Sequence, residues 1–146
     1  MINQQGDRVP FLTRNGVKII DIKKGYCKVK LEYNDQILNE SDQIDEGVIY
    51  SLAESISGIV FETYFDGKRY FPLVYRQSIE FLKIPPKVDL FVEQTFSQRQ
   101  AEQIEEELNK KGKSKYKTTA NVVDKEGNIY AKSYGYYMGK SLNYKL

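Results

Sequence analysis

Asn39-Glu-Ser-Asp-Gln-Ile-Asp-Glu-Gly-Val-Ile-Tyr-Ser-Leu-Ala-Glu-Ser-Ile-Ser-Gly58 is the stretch that decides how this chain folds. A polar loop passes here into a run in which Val48, Ile49, Leu52, Ala53, Ile56, Ile59 and Val60 recur at helical spacing. The spacing predicts a helix over 46–64 with one apolar side, and that side needs a partner surface to cover it. Ile44 falls just before the cap, and Asp45 or Glu46 supplies the acid that a helix N-terminus favours. Glu54 lies within the apolar run, beside Ala53 and two residues after Leu52. A carboxylate in that setting is either a rim residue reaching water or a group put to chemical use.

Outward from this helix the pattern changes to period two. Val17 to Ile22 reads as a strand, Lys24-Gly25 as a turn, and Tyr26 to Tyr33 as a second strand, with Cys27, Val29, Leu31 and Tyr33 on one face. On the far side, Asp66-Gly67 signals a turn and Phe71 to Ile84 a long strand interrupted at Pro72. Val88 to Phe96 follows as another strand. Ser97 with Gln100 forms a weak capping box for a charged helix over 98–111. Ala101, Ile104 and Leu108 give that helix a narrow apolar stripe, and Gly112 suits its C-terminal cap. Lys113 to Val123, the Asp124–Gly127 turn and Ile129 to Met138 close the chain as a hairpin. Residues 1–12 read as an N-terminal arm. The order predicts an α+β architecture: one domain over 1–146, a curved antiparallel sheet around the long helix, and the second helix as a surface insertion.

Composition narrows the chemistry. With 146 residues, 40% hydrophobic and 29% charged, the chain is long enough for a substantial core. A net charge of +2 with interleaved signs gives no argument for nucleic acid. No apolar run approaches a membrane span, and Met1-Ile-Asn-Gln-Gln-Gly-Asp-Arg8 lacks the apolar segment of a signal peptide. The single Cys27 suits a reducing cytoplasm. Histidine is absent, which removes Ser-His and Cys-His nucleophiles and, with one cysteine, the usual zinc sites. No metal or cofactor is expected. Proton transfer near neutral pH is left to carboxylate, tyrosine, lysine or bound water.

The spacing within 39–58 resembles the PaaI-type branch of the hot-dog acyl-CoA thioesterases. That family carries an Asn, then His-Gly-Gly six residues on, then an Asp or Glu nine residues after the His. Here Asn39, Asp45-Glu46-Gly47 and Glu54 occupy those places, so Asp45 replaces the His and Glu46 the first Gly. Ser51-Leu-Ala-Glu-Ser-Ile-Ser-Gly58 is similar to the family's helix, Ser78-Ile-Glu-Phe-Leu-Lys-Ile-Pro85 to one of its strands, and Asp124-Lys-Glu-Gly-Asn-Ile-Tyr-Ala-Lys132 to its closing hairpin.

The resemblance implies a hot-dog fold and hydrolysis of an acyl-CoA or acyl-carrier-protein thioester. Glu54 would act as general base or nucleophile. The amides near Glu46 and Gly47 would bind the developing oxyanion, and Asn39 would hold the carbonyl or the water. Asp45 and Glu46 border that site, and a carboxylate there repels an oxyanion unless it turns away to cap the helix or meet a cation. Val74 stands where the family often has a Ser or Thr, with Ser78 further along the same strand. Lys68, Arg69, Arg76, Lys83, Lys111 and Lys113 are the cations available to coenzyme A phosphates. Sites of this kind lie between subunits, so a dimer or a dimer of dimers is expected. The alternative is a module that binds an acyl thioester without turning it over. Tyr130, Tyr134, Tyr136 and Tyr137 read as sheet packing.

Overall fold

A computed structural model describes residues 10–143. The elements run in the order Pro10–Arg14 (α1), Val17–Lys23 (β1), Tyr26–Leu31 (β2), a short 3-10 turn at Asp35–Ile37, Glu46–Tyr64 (α2), Tyr70–Phe81 (β3), Leu90–Thr95 (β4), Gln98–Lys111 (α3), Lys113–Val123 (β5) and Ile129–Ser141 (β6). The six strands form one sheet in the order β1-β2-β4-β5-β6-β3, every neighbouring pair antiparallel. α2 lies on its inner face. This is the hot-dog fold, as the sequence pattern predicts.

The core forms where two periodicities meet. α2 buries Ile49, Leu52, Ala53, Ile56, Val60 and Phe61. The inner face of the sheet answers with Cys27, Val29 and Leu31 of β2, Leu90 and Val92 of β4, Tyr116 and Val122 of β5, and Tyr137 of β6. Cys27 is fully buried between these layers. Burial, with the Asp21 carboxylate nearby, pushes its thiol up to about 12. Phe61, Tyr116 and Tyr137 stack in turn, with centroids 5.7 and 5.5 Å apart and near-parallel planes.

Three local features differ from the sequence pattern. First, residues 10–12, expected to belong to a loose arm, begin helix α1; residues 1–9 lie outside the described range. Proline is at home in a first helical turn, and Leu12 gains from burial against the core. Second, the loop before α2 is pinned rather than free: Ile37 and Ile44 are buried, and Leu38 bridges Ile44. Third, the strand read over 71–84 with a break at Pro72 is Tyr70–Phe81 and runs unbroken through the proline, because β3 is an edge strand and uses only one side of the ladder.

The insertion of α3 opens the sheet. β4 and β5 share the pair Phe91–Val123 and then separate. Side chains span the gap: Gln94 donates to the Thr119 carbonyl and Gln100 to the Lys117 carbonyl. α3 has the expected caps, Ser97 accepting from the Gln100 amide and Gly112 in the left-handed conformation at φ 71°. Its apolar stripe is Ala101, Ile104 and Leu108.

Candidate functional site

Gly47, Ser51, Glu54 and Gly58 share one face of α2, because offsets of four, seven and eleven residues return to nearly the same angle. Toward the C-terminal half of that face lies a cavity of about 390 Å3. Its walls are Phe11 and Leu12 of α1, Ile59 of α2, and Pro72, Leu73 and Val74 of β3; Ser51, Glu54, Ser55 and Tyr137 supply its polar groups. The Ser51 and Ser55 hydroxyls donate back to the helix carbonyls of Gly47 and Leu52, so their protons are already used. The unengaged chemistry of the cavity therefore rests on the Glu54 carboxylate.

Burial raises the Glu54 pKa above its ordinary value, and a hydrogen bond from Tyr137 partly opposes the rise. Tyr137 Oη donates to the Glu54 carbonyl oxygen at 3.0 Å and lies 3.5 Å from Glu54 Oε1. Sequence spacing gave no hint of this pair, which is 83 residues apart along the chain. The signal available was parity: Ser133, Gly135, Tyr137 and Gly139 alternate on the inner side of β6, so Tyr137 faces α2 while Tyr134 and Tyr136 face outward.

Several residues expected at the site serve elsewhere. Asp45 is the N-cap of α2, with Oδ1 accepting from the Gly47 amide at 2.7 Å. Its carboxylate thus occupies the amide that the resemblance assigns to the oxyanion. Asn39 organises the preceding loop: its Oδ1 accepts from the amides of Ser41 and Gln43, at 2.9 and 3.2 Å, and it does not line the cavity. Glu46 is an exposed first-turn acid.

Val74 does line the cavity, whereas the register sets Ser78 opposite Tyr134 and Arg76 opposite Tyr136, on the outer face. Arg76 covers the Tyr136 ring and Lys83 the Tyr130 ring, at 5.1 and 5.2 Å. Lys68 and Arg69 fall in the turn after α2, past the opposite end of the helix from its N-cap. None of the expected phosphate-binding cations lines the cavity. Among the described residues no three of His, Cys, Asp and Glu gather as metal ligands, and no helix is long and apolar enough to cross a membrane.

No protein-family profile matches the chain, and no curated protein matches it in sequence. Solved structures do. A Pseudomonas aeruginosa protein of unknown function, described as a probable thioesterase, is similar at 26% identity and a TM-score of 0.86, over 96% of this chain and 93% of that one. A thioesterase from Haemophilus influenzae is similar at 10% identity and a TM-score of 0.76, over 97% and 90%. A thioesterase variant from Staphylococcus aureus is similar at 11% identity and a TM-score of 0.73, over 90% and 99%. The two remoter likenesses speak for the fold; the first extends to sequence along nearly the whole chain. With its antiparallel sheet wrapped on a central helix, the chain has the hot-dog fold and is similar along its length to structures described as thioesterases.

Proposed function

We propose that this protein hydrolyses the thioester of an acyl group carried on coenzyme A or on a carrier protein, along the lines of the PaaI-type branch. One observation carries the reading: a single carboxylate, half-buried and short of hydrogen-bond donors, stands in the wall of a mostly apolar cavity. The apolar walls suit an acyl chain. The carboxylate suits either of two routes. As general base, Glu54 takes a proton from water as the oxygen attacks the carbonyl carbon, and returns that proton to the sulfur as the C–S bond breaks. As nucleophile, it forms an anhydride, expels the thiolate and is regenerated by water.

The oxyanion requires a donor, and within one protomer the Gly47 amide is committed to Asp45. A second protomer carries the same cap, so it would complete the site through a donor other than its Gly47 amide. β3 carries Leu73, Val74, Tyr75 and Phe81 as exposed apolar residues on an unpaired edge, a surface that invites a second copy. Such a dimer would bring another helix start toward the cavity beside Val74. The test is release of free thiol from a panel of short, long and aromatic acyl-CoAs, with Glu54→Ala in parallel. Turnover that disappears in the variant supports the reading; turnover that persists overturns it.

The Asp45 cap favours a second reading, in which the cavity binds an acyl thioester without hydrolysing it. Thermal stabilisation by acyl-CoA in the absence of thiol release would select this reading; absence of both would exclude it.

A further inference from the structure

We propose that Tyr137 is the positioning residue for Glu54, anchoring it from the core side at the end of a buried row of hydroxyls, those of Thr118, Ser57 and Tyr137. The proposal rests on Glu54 being the working carboxylate of the cavity, and it adds to that reading the group that orients it.

These hydroxyls lie together in the core. Thr118 and Ser57 share a hydrogen bond of 2.8 Å in the core, both hydroxyls buried. The Ser57 hydroxyl also acts on Tyr137, favouring its ionised form. Tyr137 then donates toward Glu54. Every member of the row lies at or under 9% exposure, so water does not substitute for it.

The anchor is rigid. Tyr137 is 2% exposed and stacks on Tyr116 at 5.5 Å and 14°. Gly135 makes room for it: a β-carbon there would overlap Tyr137 Cε2 and sit 2.7 Å from Thr118 Oγ1. An ordinary residue at Gly135 would displace both ends of the hydroxyl row together.

The geometry assigns one proton to two acceptors. The bond to the Glu54 carbonyl at 3.0 Å is well formed, whereas 3.5 Å to Oε1 is the outer limit for a hydrogen bond. When Glu54 loses its proton, the charged oxygen becomes the better acceptor and the proton turns toward it. Tyr137 thereby holds Oε1 against the core and leaves Oε2 to face the cavity. Without it, a glutamate with three rotatable bonds would be free to swing to open water.

A tie that merely docked β6 on α2 would predict loss of stability alone. A positioning role predicts more, and the two separate in Tyr137→Phe, which removes one oxygen and keeps the ring. Titration of carboxyl-13C-glutamate in the whole protein reads Glu54 directly, with Glu54→Gln assigning its signal. Since the hydrogen bond favours the carboxylate, Tyr137→Phe should move the Glu54 midpoint to higher pH. Ser57→Ala, which weakens the donor from behind, should move it the same way by less; it also carries the test if Tyr137→Phe does not fold. In turnover, Tyr137→Phe should lower kcat on the order of tenfold with KM nearly unchanged, and shift the acid limb of the rate profile upward. A Glu54 midpoint unmoved in the variants overturns the proposal. If the wild type shows no turnover, the hydrolase reading falls, and the titration still decides whether Tyr137 governs Glu54.

Discussion

Glu54 is a residue in an unfavourable place, and this shows in stability as well as in rate. Its pKa is raised in the folded state because burial penalises the charged form. Above the pKa of the unfolded chain, the folded state holds its proton longer, so this group's contribution to stability is lost as pH rises through the folded value. Glu54→Gln should therefore raise the melting temperature at neutral pH while reducing thiol release on the order of a hundredfold or more. Differential scanning calorimetry alongside the thiol assay checks both halves. A variant that is slower without being more stable would mean that burial costs the carboxylate little. Asp45 shows the opposite economy: its charge sits on the Gly47 amide, where the helix dipole favours it. Asp45→Ala should cost about 1 kcal/mol in chemical denaturation. It also frees that amide, so comparing its thiol release with wild type shows whether the cap limits turnover.

At the scale of elements, β6 is the strand on which helix and sheet agree. Gly139 faces Phe61, and a β-carbon there would stand 2.8 Å from the Phe61 ring. Gly139→Ala should destabilise by about 1–3 kcal/mol through this overlap, measured as a fall in the denaturation midpoint without change in slope. The turn that feeds β6 is locked by Asp124. Its carboxylate accepts from the Tyr130 hydroxyl at 2.6 Å, from Asn128 Nδ2 and from the amides of Glu126 and Asn128. These bonds, that from Tyr130 foremost, hold its pKa down to about 2. Its stabilisation is present above the ordinary aspartate range and is lost as pH falls toward that value. Acid unfolding of Asp124→Asn should accordingly be flatter between about pH 4 and 2 than that of wild type.

The legibility of these elements followed the strength of local signals. The helices 46–64 and 98–111 stand where the sequence puts them, because cap, period and breaker agree at both ends. The turn at Pro10 was missed because five residues are too few to show a period. At the site, Glu54 was legible as a charge inside an apolar run. Tyr137 was not, since its role depends on a strand register reaching α2 from the far end of the chain. Asn39 and Gly47 matched a spacing, yet local hydrogen bonds with Ser41, Gln43 and Asp45 engage them first.

For the whole molecule, the edge strand β3 is the surface on which the proposed second copy would dock. It presents 12 residues of ladder, with Leu73, Val74, Tyr75 and Phe81 exposed. Phe81→Lys should blunt that edge, and sedimentation equilibrium should then show the protomer mass for the variant where the proposed dimer requires a multiple of it for wild type. A wild type that is itself monomeric would remove the second protomer from the proposed site. Cys27 has a further consequence. The only thiol of the chain lies at zero exposure on β2, with its thiolate suppressed by burial. A thiol-reactive dye therefore sees liberated carrier and not the folded protein. Over longer times the same dye becomes a clock: it can mark Cys27 only in chains whose layers have parted, so slow labelling without substrate counts the openings of the native state.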